Sequence, residues 1–148
     1  MKRFAAGFVA GSVVTLLGVL ALAFWWTSPS LDVGVEIPTS AELGGSFSMN
    51  ILAFNPHSKL VTLDNVDIPN AFFESFEVVS VTPMASGDSP VGGLGTKTWY
   101  FDLEVPSTTT KTITFEVRPT ARGRHVIEFD VCNSTGDCSS VAKAIEIR

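Results

Sequence analysis

Two cysteines, Cys132 and Cys138, sit within VCNSTGDC and are the only thiols in the chain. A pair so spaced suits three chemistries: zinc ligation, thiol–disulfide exchange or a structural disulfide. Zinc wants four ligands, and no further Cys or His stands near either thiol. His57, His125 and Met49 would complete a copper donor set with the cysteines, but such sites draw Cys, His and Met from one short loop. Gly87-Asp88-Ser89 matches the surroundings of some nucleophilic serines. A nucleophile needs a base and an orienting partner, however, and this serine lies in the Gly/Pro/Ser-rich SGDSPVGGLG. Asp64, Asn65, Asp67 and Asn70, with Asp130 or Asp137, offer the oxygen donors that calcium takes, although Asp and Asn also punctuate turns. Asn133-Ser134-Thr135 is a formal glycosylation sequon. Phe72, Phe73 and Phe76 in NAFFESF are either core or a partner-binding patch, and alternation favours core. No catalytic or metal site emerges, and no cofactor is expected.

What positions these residues begins with an apolar segment. After Lys2 and Arg3, the run Phe4–Trp26 carries no charge over 23 residues. As a helix it would extend about 35 Å, enough for a hydrocarbon core of about 30 Å. Basic residues before it and a first later charge at Asp32 predict a cytoplasmic N-terminus and a translocated remainder, with Trp25 and Trp26 at the interface. Ala21-Leu22-Ala23 also fits signal-peptide cleavage, but the apolar run continues past the usual h-region, which favours a retained anchor. Gly7 and Gly11 form a GxxxG face suited to helix pairing in lipid, a weak signal for a homodimer. The expected organisation is therefore a stub and anchor over 1–26, a linker over 27–30 and a domain over 31–148.

The domain reads as all-β. Apolar residues alternate with polar ones in Leu31–Ile37, Phe47–Ile51, Trp99–Val105, Ile113–Val117 and Ile127–Val131. Less regular strands are expected near Leu60–Ile68 and Phe73–Thr82, and a last one near Ser139–Ile147. Strands with one apolar face bury it against a second sheet. Two stretches, LDVGVEIPTSAELGGSFSMNILAFNPHS and WYFDLEVPSTTTKTITFEVRPTARGRHVIEFDVC, resemble bacterial immunoglobulin-like surface domains. The resemblance implies an antiparallel sandwich of 7–8 strands and an adhesion, spacer or assembly role. It departs from antibody domains in lacking their Cys…Trp…Cys spacing.

The charge balance narrows the partners. Of 10 basic residues, two precede the apolar run, leaving eight against 15 acidic ones beyond it. That surplus argues against nucleic acid. If strands alternate strictly between two ends, Lys59, Lys97, Arg118, Arg122 and Arg124, with His57 and Arg148, gather at the membrane-proximal end, a basic surface for lipid or an acidic subunit. Glu42, Asp67, Glu74, Lys111 and Asp137 then fall at the distal end.

A translocated domain meets oxidising conditions, which favours a Cys132–Cys138 disulfide. Facing cysteines in a hairpin would set Phe129 opposite Val141 and Ile127 opposite Lys143, with both thiols on the outer face at the distal tip. The expected function is non-enzymatic: a membrane-anchored binding or assembly module, such as an accessory subunit with a protein partner in or on the membrane. The alternative is an extracytoplasmic sensor that takes calcium or a glycan on distal loops.

Overall fold

Period-two patterning decides the architecture. The computed structural model describes residues 30–89 and 95–148. Within them run β1 (Asp32–Glu36), β2 (Ser40–Ala41), β3 (Phe47–Phe54), β4 (Val61–Pro69), β5 (Phe76–Thr82), β6 (Gly87–Asp88), β7 (Thr96–Val105), β8 (Thr110–Pro119), β9 (Gly123–Asn133) and β10 (Cys138–Ile147). One sheet has the order β1-β3-β8-β5 and the other β2-β10-β9-β4-β7-β6. All pairings are antiparallel except the short β2–β10 contact. Alternate residues of each long strand form the core: Phe47, Met49 and Ile51 on β3, Ile113, Phe115 and Val117 on β8, Ile127, Phe129 and Val131 on β9. The apolar segment Phe4–Trp26, with Gly7 and Gly11, lies outside the described residues. Among those described, no helix is long and apolar enough to cross a membrane.

Three differences from the expected strands have local causes. Residues 70–74, taken partly as strand, form a 3₁₀ turn (Asn70–Glu74), which buries Phe72 and stacks it on Phe76 with ring centroids 4.9 Å apart. β2 adds two residues that pair with Glu146 and Ile147, covering the end of β10. β6, in the Gly-rich stretch read as a plain loop, pairs Gly87 with Tyr100 and Asp88 with Trp99.

The third difference reverses a polarity. Let the base be the end where Ser30 and Leu31 lie. β3 descends to the base at Phe54, β4 rises from it and β5 starts down again from the top. A chain that simply continued down would begin β7 at the base. Instead β6 turns back up beside β7, and Lys97 emerges at the top opposite Ile68. Every later loop changes ends. Arg118, Arg122 and Arg124 lie around the β8–β9 turn at the top, where Gly44 N–H donates to the Pro119 carbonyl, and Arg148 follows β10 there. Only Lys59 and His57 of the expected basic group remain at the base. Lys111 and Asp137, expected at the far end, are at the base as well. The expected basic group therefore divides, with Lys97, Arg118, Arg122, Arg124 and Arg148 at the top and Lys59 and His57 at the base.

Candidate functional site

At the base, backbone groups leaving strand ladders must find partners, and two buried asparagines supply them. Asn55 is fully buried; its Nδ2 donates to the carbonyls of Lys59 and Val105, both at 2.8 Å, and its Oδ1 accepts from His57 N–H at 2.9 Å. Its own backbone clasps the β7–β8 turn through Thr108 and Thr109. Asn133 is also buried, and its Oδ1 accepts from Thr135 N–H, Thr135 Oγ1 and Asp137 N–H. The sequon asparagine is thus a loop organiser. His57 Nε2 bonds the Ser30 carbonyl at 2.9 Å and Ser139 Oγ donates to the Leu31 carbonyl at 2.8 Å, which ties the incoming chain to both sheets.

The hairpin register is as the sequence required: Cys138 opposite Cys132, Val141 opposite Phe129, Lys143 opposite Ile127. The cysteines form a disulfide with an S–S distance of 2.00 Å. Two details are corrected. The bridge is at the base rather than the distal tip, because of the β6 reversal. Cys132, on the outer face as expected, is nevertheless buried, with Sγ 4.0 Å from Asp67 Oδ2.

The other candidate chemistries are dispersed. His125 Nε2 meets the Ala121 carbonyl at the top, far from His57 at the base. Ser89 belongs to the β7 ladder, its Oγ accepting from Thr98 N–H at 3.1 Å. Asp67 accepts from Thr98 Oγ1 and from Asn65 Nδ2, and Asp130 accepts from Ser140 Oγ. These carboxylates are committed to neighbouring strands, and the described residues contain no cluster of three or more metal-ligating side chains.

One concave feature stands out in the upper half, on the side where the sheets part. β5 ends its sheet, and β7 lies across from it, covered at its own edge only by β6. Between them lies a cavity of about 600 Å³, walled by Val78–Val81 on one side and by Lys97 and Trp99 on the other, with Phe73, Phe76 and Thr120 at the upper end. The aromatics are a connected set: Phe73 is 6.0 Å from Trp99, which meets Phe115 edge-on at 5.2 Å. Lys97 Nζ sits 5.0 Å above the Trp99 ring and 2.7 Å from Asp88 Oδ2. Of the phenylalanine triad, Phe72 and Phe76 are core, as alternation favoured, whereas Phe73 is only half-buried and lines the cavity. Sequence reading missed Lys97 and Trp99 as partners of Phe73, because the strand that joins them, β6, has only two residues.

No protein-family model matches the chain, and no curated protein matches it. Solved structures do match. The cohesin module of a family 33 glycoside hydrolase from Clostridium perfringens ATCC13124 aligns at 12% identity and a TM-score of 0.55, covering 82% of this chain and 98% of that one. AvmM, which catalyses macrocyclization in alchivemycin A biosynthesis, aligns at 9% identity and a TM-score of 0.50, covering 80% of this chain and 90% of that one. An immunoglobulin-like protein from Nocardia farcinica gives a TM-score of 0.46 at 12% identity, over 78% and 96% of the two chains. The fold is an immunoglobulin-like β-sandwich. A module and an enzyme share the architecture, so fold alone does not choose between binding and catalysis. The site must.

Proposed function

We propose that the protein is a membrane-tethered, extracytoplasmic, non-enzymatic binding module whose working end points away from its anchor. The observation that carries this reading is the placement of the aromatic-lined cavity. It lies in the upper half, whereas residues 30 and 31 are held at the base by His57 and Ser139. Four linker residues, Thr27–Ser30, reach at most about 14 Å from the apolar segment. Tethered so, the base faces the bilayer and the top stands clear of it by the length of a strand, about 30 Å for nine residues of β4. The scattered histidines and the committed carboxylates support binding over catalysis. Aromatic and aliphatic side chains interspersed with Glu77, Ser80, Lys97 and Thr120 give the cleft both apolar surface and polar groups to orient a ligand.

Topology labelling tests the tether. In intact cells or right-side-out vesicles, Ser58→Cys and Arg122→Cys variants should both react with a membrane-impermeant maleimide, and the protein should resist carbonate extraction. Extraction into the soluble fraction, or labelling only after lysis, would refute it. A paired comparison in nanodiscs should quench a dye at position 58 more than one at position 122, if lipid-resident quencher is present. Equal quenching would overturn the orientation.

A further inference from the structure

The outer face of the larger sheet carries charges that change sign about a central apolar residue. On β9 the outward positions Arg124, Val126 and Glu128 are exposed, with Arg122 in the turn above them and Asp130 half-buried below. Down the strand that is two positive charges, one apolar side chain and two negative charges. β10 continues the pattern. Ala144 stands opposite Val126, Ala142 opposite Glu128 and Ser140 opposite Asp130, and Arg148 lies one residue beyond the Ile147–Gly123 pair. Val126 is 61% exposed in mid-strand, on a face where outward positions are ordinarily polar. Among the described residues, the side chains of Arg122, Arg124, Arg148 and Glu128 have neither an ion pair nor a hydrogen bond. Asp130 faces Asp67 on β4, a like-charge contact that no described cation neutralises. Beside it the surface is hollow: Pro69, Glu128, Asp130, Ser140 and Ala142 line a cavity of about 310 Å³.

We propose that this face pairs with the same face of a second copy, antiparallel, about a two-fold axis that runs across the strands over Val126 and Ala144. β9 then lies over β9, Arg124 meets the second copy's Glu128, and Arg122 meets its Asp130. Arg148 falls above the second copy's Ser140, where the hollow beside Asp130 has room for a guanidinium. Every contact occurs twice, as a two-fold requires. Val126 and Ala144 meet their own counterparts, an apolar centre inside a charged rim. The charges also exclude the alternatives. A two-fold along the strands sets Arg124 on Arg124. A shift of one pleat sets Val126 on Glu128 or on Arg124 and keeps only one of the two arginine–carboxylate contacts. The patch from 122 to 130 is about 26 Å long and three strands wide, which buries on the order of 800 Å² over both copies, the size of a transient contact. The pairing does not rest on the tether. With the tethered reading added, antiparallel copies belong to facing bilayers and not to one.

The test uses the full chain in detergent, where the anchors impose no common direction. A cysteine on the axis faces its own counterpart, so Val126→Cys should give a covalent dimer with a short bis-maleimide. Facing sheets stand about 10 Å apart, too far for a disulfide. Val79→Cys, exposed on the other sheet, should stay monomeric. In the Val126→Cys background, Arg124→Glu and Glu128→Arg should each lower the dimer yield at least fivefold, and Lys111→Glu should leave it unchanged. Mixing the two reversed chains sets opposite charges at both contacts again, so the yield should return to at least half. Recovery on mixing also shows that each variant is folded. High salt should lower the yield. A monomeric Val126→Cys, equal dimer from Val79→Cys, indifference to either reversal, or no recovery on mixing would overturn the proposal. Clustering of proteoliposomes, lost with Arg124→Glu, tests the facing-bilayer step by itself. Dimers in detergent without clustering would overturn that step and leave the pairing standing, so failure of the tether is distinguishable from failure of the interface.

Discussion

Asn55 offers the sharpest test of how the base is held together. Replacing it with alanine removes three hydrogen bonds at 2.8–2.9 Å and strands the Val105 carbonyl beside a fully buried residue. A net 0.5–1.5 kcal/mol per bond, with an added desolvation term for the orphaned carbonyl, puts the loss at about 3–4 kcal/mol. For a domain of this size that corresponds to a fall in Tm on the order of 10–15 °C. Chemical denaturation with unchanged m-value, followed by tryptophan fluorescence, measures it. Asn55→Asp separates hydrogen bonding from packing. The aspartate has nearly the same shape and still accepts from His57 N–H, but it turns a carboxylate oxygen toward two carbonyls that had a donor. It should destabilise more than alanine despite losing less volume. If Asn55→Asp were milder than Asn55→Ala, or if alanine cost under 1 kcal/mol, the asparagine would be a filler and not the clasp described here.

Other perturbations probe separate layers. Removing the disulfide by Cys132→Ala with Cys138→Ala should cost at most about 2.4 kcal/mol, from the entropy of a seven-residue loop, read as an equal loss in wild type under reductant. Phe115→Ala, at a fully buried ring packed against Trp99 and Phe101, should cost about 3–5 kcal/mol in urea denaturation. Asp130→Asn should stabilise by up to about 1 kcal/mol, because Asp130 stands directly opposite Asp67 while an amide oxygen can still accept from Ser140; a fall in Tm would count against the repulsion. Millimolar calcium should leave Tm unmoved, since Asp67 and Asp130 are already committed to Thr98, Asn65 and Ser140.

What could be seen in the sequence was what local chemistry fixes. Side-chain alternation within a strand is decided over a few residues, so β3, β7, β8 and β9 were legible from their apolar spacing. The β9–β10 register was legible because two cysteines six apart close a hairpin in only one alignment. What could not be seen depends on tertiary pairing. Asn55 looks like any turn asparagine until the Val105 carbonyl it donates to, 50 residues away, is in place. The base of the domain is built on exactly such long-range meetings, and its rigidity was invisible for that reason.

The reversed polarity shows how a small element governs the functional surface. Parity in an antiparallel sandwich is a running product: each pass changes the end at which the next loop lies. Two residues, Gly87 and Asp88, pair with Tyr100 and Trp99 and add one pass. That pass carries Lys97 to the top, where its ammonium meets Asp88 and covers Trp99, and so completes the wall facing β5. The same pass moves Arg118, Arg122 and Arg124 to the top and the disulfide to the base. A single short pairing therefore exchanges a basic underside for an aromatic upper cleft. It also leaves the base with Lys59, Lys111 and Asp137, so that the arginines of the β8–β9 turn and the two lysines of the lower loops lie at opposite ends.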